Sequence, residues 1–207
     1  MKPVDPLAPT AVIKIGGSLL GVPDLGARLA NFLGDFSRPR SLVVCGGGEA
    51  VDALRRLDRV HNLGEELGHW LALRMLSVTA RVVERVCPLL AVVDSPEDFA
   101  IVWSSGKVPV YDAFDFIIDV DDERLDPLPR RWRVTSDSIA ARMAEHFRAA
   151  ELVLLKSITL PERISIVEAA SEGVVDAYFP TAARALDRVV AFNLREDEPR
   201  ETLLVPE

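Results

Sequence analysis

Two lysines, one aspartate and two glycine turns are the residues of this chain whose types and spacing could do chemistry together. Lys14 stands two residues before Gly16-Gly17-Ser18. Gly46-Gly47-Gly48 follows a second short apolar run, Asp137 sits in Thr135-Ser136-Asp137-Ser138, and Lys156 precedes Ser157. Glycine lets a backbone turn tightly and approach a ligand closely. A helix that follows such a turn points its free N–H groups and its positive dipole end into it, which favours an anion there. Phosphoryl transfer asks for such a set: it needs cations and N–H donors that hold donor and acceptor in line more than covalent help from the protein. Each glycine cluster also has a plain reading as a tight βα connection, and Asp137 has one as a helix cap. The functional alternative for Asp137 is that it orients the lysines by charge-assisted hydrogen bonds. Neither turn ends in the Gly-Lys-Ser/Thr of a Walker loop, and neither has G-x-G-x-x-G spacing.

The elements that must position these groups follow from periodicity. Ala11 to Ile15 and Leu42 to Cys45 are short, β-branched and closed by glycine, which predicts buried strands. Helices are expected near Asp24 to Leu33, from Glu49 to about Leu57, and over Gly64 to Val86. In the last of these Leu67, Leu71, Met75, Val78, Val82 and Val86 form a stripe expected to pack on the sheet. Leu89 to Val93, Val108 to Tyr111, Phe116 to Val120, Leu152 to Leu155 and Val189 to Phe192 read as further strands. Ser136 to Arg148, Ile164 to Ser171 and Thr181 to Leu186 read as helices, with Thr135 or Ser136 as the N-cap of the first. The charged stretch Asp121 to Arg131 is expected to be an exposed loop, and the acidic tail after Arg195 to fray. Alternating strands and helices predict a three-layer α/β/α sandwich with a mainly parallel sheet, one domain over residues 1–207, its ligand beyond the carboxyl ends of the strands.

Composition narrows the partners. At 207 residues and 49% hydrophobic, the chain can bury a sizeable core. A net charge of −8 argues against a nucleic-acid or anionic-membrane surface. The opening Met1-Lys2-Pro3-Val4-Asp5-Pro6 has no apolar signal region and no stretch approaches 18 apolar residues, so a cytosolic (cytoplasmic) protein is expected. Cys45 and Cys87 lie beside apolar runs without C-x-x-C spacing and read as buried, reduced thiols; three scattered histidines make no metal cluster.

Lys14-Ile15-Gly16-Gly17-Ser18, then Gly46-Gly47-Gly48, then Thr135-Ser136-Asp137-Ser138-Ile139-Ala140-Ala141 resemble, in order and spacing, the motifs of the amino acid kinase superfamily. The resemblance implies ATP, with Mg2+, over the C-terminal half of the sheet and a small-molecule acceptor over the N-terminal half. It also implies that Lys14 contacts the transferring group, that Gly16, Gly17, Gly46, Gly47, Gly48 and Ser18 line the substrate side, and that Asp137 organises the lysines. A closer resemblance is to the archaeal-type branch containing the aminomethylfuran phosphate kinase of methanofuran biosynthesis, a one-carbon cofactor route. It is carried by Gly68-His69-Trp70-Leu71-Ala72-Leu73, Val108-Pro109-Val110-Tyr111-Asp112, Trp132, and Gly173-Val174-Val175-Asp176-Ala177-Tyr178-Phe179. There the acceptor is itself a phosphate ester, and His69 and Trp70 would line its pocket; the plain reading puts Trp70 in the helical core with His69 as its polar flank.

One departure stands on the nucleotide side. Where the superfamily has a Thr-Asp pair and a glycine after the late strand, this chain has Leu154-Leu155-Lys156-Ser157-Ile158-Thr159-Leu160-Pro161. Lys156, with Ser157, would supply the charge the family takes from a later lysine. Two other functions stay open at this stage. One is a carboxylate kinase making an acyl phosphate, with Arg74 or His61 gripping the acceptor. The other is a catalytically silent binding protein with the same fold. The resemblance also implies a homo-oligomer, with the long helix carrying Leu67, Leu71 and Met75 as a possible surface; periodicity does not separate an interface from a core.

Overall fold

Short, β-branched, apolar runs bounded by glycine suit strands covered on both faces, and β1 (Ala11–Ile15) and β2 (Ser41–Cys45) are buried along their whole length. The computed structural model describes residues 8–36 and 38–206; the opening Met1 to Pro6 lies outside them. β1 passes through a 3-10 turn, Gly17–Gly21, to α1 (Leu25–Asp35), and β2 leads through the second glycine turn into α2 (Gly48–His61) and then α3 (Glu65–Val86). β3 (Leu90–Val93), α4 (Phe99–Ser104), β4 (Val108–Tyr111) and α5 (Ala113–Phe116) follow, then α6 (Ser136–Phe147) and β5 (Glu151–Lys156). The chain closes with β6 (Arg163–Ser165), α7 (Ile166–Ser171), α8 (Phe179–Ala182), β7 (Val189–Asn193) and β8 (Glu201–Val205).

Among the described residues eight strands form one sheet in the order β3-β4-β2-β1-β5-β7-β8-β6, parallel except where β7 meets β8. Side chains alternate across it. Val12, Leu42, Val44, Leu152 and Leu154 pack against Ile139, Ala140 and Met143 of α6 and Leu73 and Leu76 of α3. Ile13, Ile15, Val43, Val153 and Leu155 pack on the other face against Leu25 and Leu29 of α1 and Ala80 and Val83 of α3. The result is an α/β sandwich with a mainly parallel sheet, as expected. β1 pairs with β5 so that Lys14 stands beside Leu154. Alternation then puts Lys14 and Lys156, two residues beyond Leu154, on the α6 face at the carboxyl ends of neighbouring strands.

Several boundaries differ from expectation. α2 runs to His61, four residues past the expected end. Phe116 to Val120 is not a strand: α5 runs into a π turn, Ile117–Asp121. Its β-branched and aromatic content is overridden by Asp112, whose carboxylate caps Phe114 N–H at 2.8 Å, and by adjacent Phe116 and Ile117 both facing inward. The stretch Asp121 to Arg131 is irregular but not wholly exposed. Asp121 and Leu128 are buried, joined by the Leu128 N–H to Asp121 Oδ2 bond of 2.7 Å, and the Asp121 carboxylate lies 3.3 Å from Arg142. Ile164 belongs to strand β6 before α7 begins, and the helix expected at Thr181 to Leu186 is the shorter Phe179–Ala182. The acidic tail is not frayed at its end. β8 pairs antiparallel with β7, Leu204 is buried, and Thr202 Oγ1 donates to the Pro161 carbonyl at 2.8 Å.

The stripe assigned to the sheet-facing side of α3 is a correction as well. Leu67, Val78, Val82 and Val86 are 44–53% exposed, and the inward face is Gly68, His69, Leu73, Leu76, Thr79, Ala80 and Val83. The helix has two apolar faces. The inward one reads as less apolar because it carries small residues that allow close approach and Thr79, whose hydroxyl donates to Gly46 O at 3.0 Å. Cys45 and Cys87 are both buried free thiols. Among the described residues no helix is long and apolar enough to cross a membrane.

Candidate active site

The carboxyl ends of β1, β2 and β5 open into a cavity of about 530 Å³. Its floor is a three-charge cluster. Lys14 Nζ lies 2.9 Å and Lys156 Nζ 2.8 Å from the same oxygen, Asp137 Oδ1. All three groups are more than nine-tenths buried. Lys156 also donates to the Val174 carbonyl at 2.6 Å. Burial alone would raise the Asp137 carboxyl, but the charges of Lys14 and Lys156 outweigh it and hold it at about 2. Burial pulls Lys156 down to about 8 against the opposing pull of Asp137, with Lys14 pushing the same way as burial. A buried charge set of this kind is not a stability device; its worth is in the fixed position of the ammonium groups.

The two glycine turns pack on each other. A Cβ on Gly17 would lie 2.2 Å from Gly48 N, and one on Gly48 would lie 2.3 Å from Gly17 O; Gly48 also has φ +53°. Only glycine satisfies that approach. The turns are tied to the sheet by Gly16 N–H to Leu155 O at 2.8 Å and Gly46 N–H to Ile15 O at 2.9 Å, and Ser18 and Ser157 share a 2.7 Å hydroxyl bond across the cavity mouth. α2 begins here with Gly47 as N-cap and no side-chain cap, and Gly47 and Gly48 line the cavity.

α6 starts on the opposite wall and is capped differently. Asp176 Oδ2 accepts from Thr135 N–H at 3.0 Å, Thr135 Oγ1 at 2.9 Å and Ser138 N–H at 3.0 Å, while Oδ1 accepts from Ser138 Oγ at 2.6 Å and Tyr178 N–H at 3.0 Å. Asp137 is therefore released from capping, and its carboxylate turns to the lysines.

Lys14, Gly16, Gly17, Ser18, Gly47, Gly48, His69, Asp137, Lys156 and Ser157 all line the cavity. Gly46 does not line it; it lies beneath the turn, where a Cβ would meet Gly17 N at 2.7 Å. Trp70 is a correction: it does not line the cavity but packs edge-on against Phe114 at 5.9 Å and under the Arg130 guanidinium at 4.8 Å. His69, the expected flank, is the inward residue, and burial lowers its imidazole below the usual range. Arg74 lies over the Phe114 ring at 3.4 Å and His61 is exposed at the end of α2; neither lines the cavity. The wall instead carries Asp52, Arg55, Arg131 and Trp132. Asp176, Arg55 and Arg131 escaped sequence reasoning. Gly48, Asp52 and Arg55 share one helix face by spacing and could have been found. Asp176 lies in the Gly173 to Phe179 segment quoted above, but its capping role rests on Thr135 and Ser138, about forty residues away.

A mainly parallel sheet with converging lysines, an aspartate and two glycine turns at its carboxyl edge defines an α/β class whose ligand site lies beyond the strands' carboxyl ends. The family model for the amino acid kinase family matches residues 9–159, and the chain belongs to that family. Among curated proteins it is 21% identical over 161 residues to the [5-(aminomethyl)furan-3-yl]methyl phosphate kinase of Methanocaldococcus jannaschii, a match covering 71% of this chain and 65%, just under two thirds, of that protein's length. Among solved structures it is similar to UMP kinase from Ureaplasma parvum, with TM-score 0.65 and 16% identity over 94% of this chain and 97% of that one. It is also similar to aspartate kinase from Synechocystis, with TM-score 0.64 and 15% identity over 96% of this chain and 40% of that one. At these identities the structural likeness establishes the shared fold.

Proposed function

We propose that this protein is an ATP-dependent kinase that phosphorylates a small phosphorylated metabolite, with aminomethylfuran phosphate as the favoured acceptor and methanofuran-type cofactor synthesis as its setting. The observation that carries the reading is the pair of buried ammonium groups held on one Asp137 oxygen between two glycine turns. In such a reaction the P–O bond to the β-phosphate breaks, a bond to the acceptor oxygen forms, and the electron pair stays with ADP. What this chain supplies is charge and N–H donors. Lys14 neutralises the group in transfer, Lys156 and Ser157 meet the nucleotide phosphates, and the N–H groups of the two turns and of α2 hold the oxygens. The nucleotide belongs to the β5 side and the acceptor to the α2–α3 side. Magnesium, which binds through substrate phosphates with one or two carboxylates at most, would come with the nucleotide; among the described residues no three acidic, cysteine or histidine side chains converge to hold a metal ion.

The test is Lys14→Ala assayed with MgATP and a panel of phosphate-ester and carboxylate acceptors. A folded variant should lose about 10²–10³-fold in turnover, as when one preorganised charge is removed from a transition state. Near-normal turnover would sink the assignment, and wild-type turnover on carboxylates alone would move it to acyl-phosphate formation. The exposed Leu67, Val78, Val82 and Val86 face of α3 supports a homo-oligomer as part of the same reading. Sedimentation as a monomer at micromolar concentration would remove that part.

A further inference from the structure

Transfer between two phosphates brings several negative charges together, and the two floor lysines, sharing Asp137, carry a net single positive charge against them. Among the described residues the other arginine or lysine side chains lining the cavity are Arg55 and Arg131. Arg55 is the one held in place. Its Nη1 donates to Asp52 at 3.1 Å and its guanidinium lies over the Trp132 ring at 5.4 Å. Trp132 is itself clamped: Nε1–H donates to Asp58 Oδ2 at 2.9 Å, and the ring lies so close to α3 that a Cβ at Gly68 would stand 2.4 Å from it. Gly48, Val51, Asp52 and Arg55 form one face of α2 along the cavity wall. Arg55 is seven residues, about 10 Å, down the helix from Gly48. Side chains lean toward the helix N-terminus, and the bond back to Asp52 shows that this one does.

We infer that Arg55, steadied on Trp132, binds the phosphate of the acceptor between its guanidinium and the open N-terminus of α2, and so makes the site specific for a phosphomonoester over a neutral alcohol. This rests on the kinase reading and adds the acceptor's grip to it. A guanidinium held over an indole, with Nη1 given to Asp52, keeps its remaining N–H groups for phosphate oxygens. Trp132 acts through Arg55 and is a positioning residue.

The experiment is calorimetric titration of wild type, Arg55→Gln, Arg55→Lys and Trp132→Phe. The ligands are aminomethylfuran phosphate, the corresponding alcohol, inorganic phosphate and a non-hydrolysable ATP analogue with magnesium. Arg55→Gln should weaken aminomethylfuran phosphate at least about tenfold, the scale of one charge-assisted pair. The alcohol and the nucleotide analogue should stay within twofold. Arg55→Lys should recover only part of the loss because an ammonium lacks the fork, and Trp132→Phe, which keeps a ring but loses the Asp58 anchor, should show a smaller loss of the same selectivity. An unchanged acceptor Kd in Arg55→Gln, or equal weakening of acceptor and nucleotide, overturns the inference, as does wild type that binds the analogue but neither phosphate. Wild type that binds neither nucleotide nor phosphate overturns the kinase reading itself, a distinguishable failure.

Discussion

The two helices that start at the cavity, α2 and α6, end the same kind of connection in opposite ways. α2 opens with Gly47 and no side-chain cap, whereas all the donors at the start of α6 that Thr135 and Ser138 offer are taken by Asp176. Both helix starts carry positive potential. One has no side-chain cap, and the other already holds an anion built into the chain. The difference teaches that glycine at a helix start leaves its donors without a side-chain partner, while a carboxylate there fixes the helix so that another of its residues can work. Here that residue is Asp137.

The comparison is broken most severely at Asp137. Asp137→Asn leaves two buried ammonium groups without their shared carboxylate, and losing one partner of a buried ion set costs about 3–5 kcal/mol. Denaturant unfolding should show a loss of that size, and a loss under 1 kcal/mol would mean the cluster is solvated. Asp176→Ala comes next. It uncaps α6 at a cost of about 1–2 kcal/mol and turns its N-terminus into a second open anion position. Sulfate should then raise the melting temperature of the variant more than that of wild type; equal shifts would deny that Asp176 occupies an anion position.

The mildest probe is pH. Lys156 sits at about 8 in the folded protein against an ordinary 10.5. Affinity for the ATP analogue should therefore fall as pH rises through about 8, when the ammonium loses its proton. Stability should move the other way. Between about 8 and 10.5 the unfolded chain holds the proton that the folded one has released, so the Lys156 contribution to stability rises across that window. Asp137, held at about 2 against 3.8, adds stability that is lost as pH falls from about 3.8 to 2. In Lys156→Ala the alkaline trends in both affinity and stability should vanish, and a stability curve that keeps its alkaline rise would assign it to another group.

What the sequence made legible follows from the same physics. β1, β2, β4 and β5 were readable because a strand covered on both faces is a near-continuous apolar run, and after β1 and β2 glycine marks where it ends. α6 was readable from its polar start and alanine-rich body. The sheet-facing side of α3 was not, because that helix is apolar on two faces and its inward one is diluted by Gly68, Thr79 and Ala80. β8 was hidden by the charges before it, although Thr202 and Leu204 alternate inward as a strand requires. The floor residues were visible as types; that both lysines meet one oxygen depends on strand register, which no single segment reveals.

That register has a consequence for assembly of the fold. Lys14 and Lys156 reach the same face only because β1 and β5 are aligned with Lys14 beside Leu154. Sliding either strand by one residue would turn its lysine to the opposite layer, among Ile13 and Ile15. A ligand that needs both ammonium groups therefore binds only correctly paired chains. At a hundred times its Kd it would favour that pairing by about 2.7 kcal/mol, which makes the substrate a proofreader of the sheet that holds it.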